Sequence, residues 1–409
     1  MIQDKKTLTS PHFQCKLILT WLQYSMKLKF CKRKEILLMK PESSHLEALL
    51  PHIDLLADSV QVDALGKFPY ATDAVISRPT PEFLFLHEAA VIGYHGILFA
   101  SWYNCPAKEL QGYTPIRGAK SFDGGKTWTE PEVIASDPSE KLLYCPPVYG
   151  ICDDTLYLLC NTMVSADHMH SLEFYRYDES AGKFRFLRSE PLPFKLNTNV
   201  YTMPNGKLLL PGRIAEMDSF PNTPAVLISD SGKIDAPWRL VKIQPNGDLP
   251  DGSSLVHPEL SAIVQNDLIT IFCRDDNREV PLLYQSKDCG ETWSGPISHD
   301  IPFCNSKIYS GTLSNGVNYV VGSIDDRNRL SIFFSKPGPL NFSCGYDIRN
   351  GYEPELDLSP QFSYPVGCEM DGLLHIIYTM QAPPRKNNIR GAMLTSIPVD
   401  AIAIGGQTE

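Results

Sequence analysis

The chain has 409 residues, of which 43% are hydrophobic, 10% aromatic and 21% charged. That balance can bury a sizeable core and excludes a disordered or collagen-like polymer. With 37 Lys+Arg against 47 Asp+Glu the net charge is −10, which excludes a nucleic-acid partner held by phosphate neutralisation. Residues 1–38 carry eight basic and two acidic side chains, a net of +6, so the rest of the chain carries −16. The basic segment reads either as an arm or as sequence ahead of an initiator at Met39. Its best apolar run, residues 17–22, is far shorter than a membrane span and is followed by Lys27, Lys29 and Lys32 rather than a cleavage site. Neither a membrane span nor a secretion signal is expected. Eleven cysteines, odd in number and without C-x-x-C, fit reduced thiols and a cytoplasmic location. Leu46, Leu49, Leu50, Ile53 and Leu56 then recur at helical spacing, which predicts one short helix within 43–57.

From there the chain is organised by a repeat. Six segments begin with a turn residue followed by a strand-like apolar run, and their leading residues are Gly96, Asp154, Gly206, Asn266, Gly316 and Gly372. These lie 58, 52, 60, 50 and 56 residues apart, and each has strand-like stretches before and after it. Four strands per unit of this length predict a propeller blade. The expected fold is all-β: a six-bladed β-propeller of four-stranded antiparallel blades over 58–400, with 1–57 as an N-terminal extension and 401–409 as a tail. The last blade, with strands over 362–368, 373–379 and 388–395, is one strand short. A strand within 58–77 is expected to supply its outer edge and close the ring, since an open ring would leave unpaired edges.

Two segments match S-x-D-x-G-x-T-W at every defined position, Ser121 to Trp128 and Ser286 to Trp293. Both fall at the expected turn between the third and fourth strands of a blade. There an Asp can accept backbone N–H groups, a Gly can take positive φ and a Trp can pack between sheets. Degraded copies occur at Ser335 to Phe342 and, more loosely, at Ser229 to Trp238. The motif resembles the Asp-box, or BNR repeat, of sialidase-like proteins, and the resemblance spans about residues 85–397. The stretch Phe362-Ser363-Tyr364-Pro365 resembles the closing blade of neuraminidase-like proteins, and His257-Pro258-Glu259 through Arg274-Asp275 resembles the blade that gives sialidases a Glu and an Arg.

The resemblance implies a site at the propeller centre. In sialidases three arginines grip the substrate carboxylate, a Tyr activated by a Glu is the nucleophile, and an Asp is the acid/base. Carried over, Tyr364 is the candidate nucleophile, Glu259 its activator and Arg274 a carboxylate ligand. Arg213, in a register comparable to Arg274, and Arg390 are further ligand candidates. The family's Arg in the motif opening the first blade is absent. That region reads Phe85-Leu86-His87-Glu88, so His87 and Glu88 are candidate acid/base groups. The same strand position in other blades adds Tyr149, Asn199 with Tyr201, His257, and Lys307 with Tyr309 as substrate-binding candidates.

The missing Arg leaves the sugar open between sialic acid, a uronic acid and a neutral residue, and the −16 of the propeller argues against an anionic one. No metal or cofactor is expected, and His168-Met169-His170, lacking a partner at ligand spacing, reads as a loop. The expected function is a sialidase-like exo-glycoside hydrolase acting on the terminal sugar of a small glycan. The alternatives are a uronate-sugar lyase using Tyr364 or His257 as base or acid, and a non-catalytic propeller that binds glycan or protein.

Overall fold

Each blade opens on a reversal, and three of the six are two-residue turns with both central residues at positive φ. They are His95-Gly96 (49° and 74°), Asp153-Asp154 (49° and 54°) and Asp371-Gly372 (52° and 74°). Such turns carry the twist that joins adjacent antiparallel strands, which is why a polar or Gly residue marks each repeat. The computed structural model describes residues 46–166, 168–215, 222–244, 249–276, 282–351, 360–381 and 390–403. The basic segment with Met39, the first part of the expected helix, residues 388–389 of the expected last strand and the end of the tail lie outside them.

The strands form six antiparallel sheets. Blade one runs Phe85–Tyr94, Ile97–Cys105, Ile116–Ser121 and Glu132–Ala135, and blade two Leu143–Cys152, Thr155–Ser165, His168–Asp178 and Lys183–Glu190. Blade three is built on Phe194–Leu196 and Tyr201–Thr202, then Leu208–Ile214, Thr223–Ser229 and Arg239–Lys242. Blade four holds Leu260–Val264, Ile269–Cys273, Leu282–Ser286 and Ser294–His299, and blade five Tyr309–Thr312, Asn318–Ile324, Arg329–Ser335 and Phe342–Asn350. Blade six has Gln361–Met370, Leu373–Gln381 and Arg390–Pro398, and Thr72–Ser77 pairs antiparallel with the last of these as its outer strand. The inner strands touch their neighbours around the ring, blade six against blade one included. The apolar cores lie between blades, as where Tyr309, Tyr319, Val366 and Leu98 share one cluster.

Two local expectations are corrected. Leu46 and Glu47 are helical, but among the described residues the helix does not continue past them, and Leu49 N–H to Leu46 C=O at 2.9 Å closes its last turn. Pro51 forces its predecessor out of the helical region, and the sheet then captures the chain: His52–Ile53 pairs in parallel with Ser298 and His299, and Leu55 N–H donates to Asp300 Oδ1 at 2.7 Å. The leucines are spaced by this rim path, with Leu46 and Leu50 buried in one inter-blade cluster and Leu55 in the next, each contributing about 1.5–3 kcal/mol. His168-Met169-His170 is the start of a strand rather than a loop, because Ser165 pairs with His168 across a tight turn.

The two full Asp-boxes share one geometry. Ser121 Oγ accepts Gly125 N–H at 2.8 Å, Asp123 Oδ1 accepts Thr127 N–H at 2.9 Å, and Trp128 Nε1 donates to Gly125 C=O at 3.1 Å. Ser286, Asp288, Thr292 and Trp293 repeat these bonds at 2.8, 2.9 and 3.0 Å. The Thr127 hydroxyl, donating to Asp123 Oδ2 at 2.6 Å, then the Thr127 N–H and the Ser121 hydroxyl, hold the Asp123 carboxyl down to about 2.

Candidate functional site

The inner strands of blades one, two and six are interrupted at the same level. Pairing skips from His87–Tyr103 to Ala90–Ser101, from Tyr144–Thr162 to Pro147–Cys160, and from Ser363–Thr379 to Val366–Ile377. Extra residues in a strand re-aim side chains. Glu88 and Tyr364 occupy two of these bulges with φ of 46° and 59°. For a bulky L-residue such as Tyr that torsion costs on the order of 1–3 kcal/mol, a departure that clusters at functional sites. The bulges turn both side chains into a cavity of about 620 Å³ at the propeller centre.

Arg274, at the end of the second strand of blade four, organises the floor. Its Nη1 donates to Glu259 Oε2 at 2.5 Å and to Tyr364 Oη at 2.8 Å. Its Nε lies 2.5 Å from Asp276 Oδ1, and Asp276 Oδ2 is 2.5 Å from His257 Nδ1. The His87 ring packs on Tyr364 with centroids 4.1 Å apart, and its Nδ1 is 3.1 Å from Thr379 Oγ1. Lys307 Nζ pairs with Glu88 Oε2 at 3.3 Å and sits over the Tyr364 ring at 5.5 Å. Arg390 lies over the Phe85 ring at 4.4 Å, with a buried Nε that makes no hydrogen bond among the described residues.

Burial and charge set the protonation states. Burial pushes the Tyr364 phenol far above its ordinary value, and Arg274 opposes that only in part. Burial would also raise Glu259, yet Arg274, then Arg213 and Lys307, outweigh it and hold the carboxyl at about 2. His87 is driven well below the usual imidazole range by burial and then by Arg390, Arg327, Lys307 and Arg274, so its ring is neutral.

The cavity brings together most of the residues singled out from sequence: Tyr364, Glu259, His87, Glu88, Arg274, Arg213, Arg390 and His257 all line it. Lys307 stands just behind the wall, tied to Glu88. Tyr149 and Asn199 are corrected to a structural position. Asn199 Oδ1 accepts Tyr149 N–H at 2.9 Å and its Nδ2 donates to Val91 C=O at 3.0 Å, stitching blades one to three, while the Tyr149 ring is buried beside Phe184. Tyr201 and Tyr309 do the same, donating to Ser310 C=O and Gly367 C=O. None of the four lines the cavity.

Four residues of the site escape a sequence reading: Arg327, Lys195, Glu109 and Asp276. Arg327 follows its repeat anchor Gly316 by eleven residues, against seven from Gly206 to Arg213 and eight from Asn266 to Arg274, so a looser register would have found it. Lys195 is the cross-strand partner of Arg213 and is almost fully buried. Glu109 stands on the loop after the second strand of blade one, accepting the Tyr103 hydroxyl at 2.9 Å. Asp276 carries no motif of its own.

Among the described residues no group of three His, Cys, Asp or Glu side chains is arranged to hold a metal ion, and no helix is long and apolar enough to cross a membrane. The family model described as a BNR repeat-like domain matches residues 96–376. None of the curated proteins compared with the chain is similar to it. Among solved structures, the Trypanosoma rangeli sialidase in complex with the inhibitor DANA is similar, with a TM-score of 0.62 at 13% identity over 81% of this chain and 60% of that one. The chain thus spans less than two thirds of the length of that enzyme. The Hadza microbial sialidase Hz136 gives a TM-score of 0.63 at 13% identity, covering 79% of this chain and 67% of its own. The intramolecular trans-sialidase from Ruminococcus gnavus, in complex with oseltamivir carboxylate, gives 0.62 at 12% identity over 80% of this chain and 97% of its own. At such identities the likeness is one of fold.

Proposed function

The chain belongs to the BNR repeat-like domain family, and on that premise we propose that it is a sialidase-like exo-glycoside hydrolase acting on the terminal, carboxylate-bearing sugar of a small glycan. The observation that carries this reading is the Arg274 guanidinium bonded at once to the Tyr364 hydroxyl and the Glu259 carboxylate. A phenol that burial keeps protonated becomes a nucleophile only if its proton has somewhere to go and its developing charge is met. Glu259, ionised at neutral pH, takes the proton, and Arg274, 2.8 Å from the phenol oxygen, stabilises the phenolate. Tyr nucleophiles are an established departure from the two-carboxylate glycosidase scheme. The convergence of Arg274, Glu259, Tyr364 and His87 favours this over a binding scaffold, which needs neither the strained Tyr364 backbone nor a buried carboxylate beside it.

The local charge answers the objection raised by the acidic chain. Lys195, Arg213, Arg274, Arg327 and Arg390 line the cavity against Glu88, Glu109 and Glu259, so the walls are net positive although the chain as a whole is −10. Arginine forks suit a carboxylate, and a low-dielectric pocket strengthens their pull over a global field screened within about 10 Å. A neutral sugar would leave these cations without a substrate counter-charge. The test is a panel of 4-methylumbelliferyl glycosides. Turnover of the sialoside or of a uronide, without turnover of glucoside and galactoside, is the expected result, whereas turnover of neutral sugars alone, or of none, overturns the reading.

A further inference from the structure

The hydrolysis just proposed leaves one role unfilled, the group that protonates the departing oxygen. His87 is neutral, buried and packed on Tyr364, and Glu88 is tied to Lys307. Glu109 serves as acceptor to the Tyr103 hydroxyl. We infer that His257, fixed by Asp276, is the acid/base of the reaction, an inference that rests on the hydrolase reading. His257 lines the cavity with a side chain 36% exposed, two residues ahead of Glu259, while Asp276 is largely buried at 13%. Asp276 bridges the two halves of the site, with Oδ2 on His257 Nδ1 and Oδ1 beside Arg274 Nε, both at 2.5 Å. A carboxylate on Nδ1 fixes the tautomer, makes Nε2 the proton-exchanging nitrogen and stabilises the imidazolium when it forms.

In the first half-reaction Tyr364 Oη bonds to the anomeric carbon while its own proton passes to Glu259. The bond from that carbon to the aglycone oxygen breaks with its electron pair, and His257 Nε2 delivers a proton to the oxygen. In the second, Nε2 takes a proton from water as the water oxygen bonds to the anomeric carbon. The aryl glycosidic bond between Tyr364 Oη and the sugar breaks with its electron pair on the phenol oxygen, and Glu259 returns the proton to the phenolate. Donor and receiver of the two protons thus stand on one blade, joined through Arg274.

In the first half-reaction an acid of this kind matters only when the leaving group needs a proton. With the acidic sugar that wild-type enzyme releases, His257→Gln is expected to keep kcat/KM for the 4-nitrophenyl glycoside within about tenfold of wild type, because that constant does not include the second half-reaction, and to lower kcat/KM for the methyl glycoside about 10²–10⁴-fold. Turnover of the nitrophenyl substrate itself reports a folded site. Asp276→Asn should share the leaving-group dependence, since it removes the anchor of Nδ1. Equal losses on both substrates in His257→Gln, or the selective loss appearing in Glu109→Gln instead, overturn the assignment and leave the hydrolase reading standing. Failure of wild type to cleave any acidic aryl glycoside removes the hydrolase reading and this inference with it.

Discussion

The Asp-box turn and the central cavity each hold a carboxyl at about 2, Asp123 on the rim and Glu259 at the centre, and they do so by different physics. Asp123 is solvated and is lowered by hydrogen bonds from Thr127 and Ser121, all within four residues. Glu259 is buried and would titrate high, but Arg274, Arg213 and Lys307, from three different blades, pull it down. The rim turn is a self-contained local structure. The cavity is an agreement among distant strands, stable only while its charges stay matched. What one tolerates, the other does not.

Breaking the central agreement should cost most. Tyr364→Phe, which keeps shape and backbone, is expected to lower kcat/KM by at least about 10³-fold with thermal stability near wild type, measured on the substrate the panel identifies. Retention of most activity would contradict the nucleophile role. Lys307→Met leaves Glu88 as an uncompensated buried charge, and chemical denaturation should reveal a loss of about 3–5 kcal/mol. Arg274→Lys keeps the charge but loses the fork onto Glu259, Tyr364 and Asp276, so it should lower kcat/KM by roughly tenfold or more, with no comparable loss of stability.

The rim should give the smallest effect. Asp123→Asn keeps turnover unchanged and lowers the melting temperature slightly; a turn that controlled the cavity would instead cost activity. Acid titration separates the two regions further. The imidazoles of His87, His299 and His375 are depressed, chiefly by burial, the last two to about 3 and about 4. The unfolded chain therefore binds those protons first, and stability should fall as pH drops below about 6.5. The box Asp has the opposite charge type: its lowered carboxyl contributes stability fully above about pH 4, lost only as pH falls towards 2. Urea unfolding between pH 8 and 3 should show the histidine loss in both wild type and Asp123→Asn, with the two curves converging only at the acid end.

The same contrast explains what could be read from the chain. The blades were legible because their signals are local: His95-Gly96 or Asp371-Gly372 specifies a turn, and Ser121 to Trp128 closes on itself. The outer strand Thr72–Ser77 followed from counting edges. The expected helix stops at Glu47 because leucine spacing does not distinguish a helix from a rim path, and Pro51 excludes the helix from continuing. At the site, Glu259, Arg274 and Tyr364 are named by the family resemblance, and all three line the cavity. Position in a blade does not tell which side chains reach the cavity, and Tyr149 and Asn199 instead join neighbouring blades. Arg327 was missed because three successive left-handed residues, Asp325 to Arg327, widen its turn and shift it from the repeat register. Asp276 shows its importance only through what it touches, His257 and Arg274.

The central claim is that Tyr364 becomes covalently bonded to an acidic sugar. A fluorinated analogue of the sugar that wild type releases, incubated with the protein and followed by proteolysis and mass spectrometry, tests it directly. One added glycosyl mass is expected on the peptide carrying Tyr364, absent from Tyr364→Phe. The same mass on Glu259, or turnover of substrate with no adduct on any residue, would contradict it.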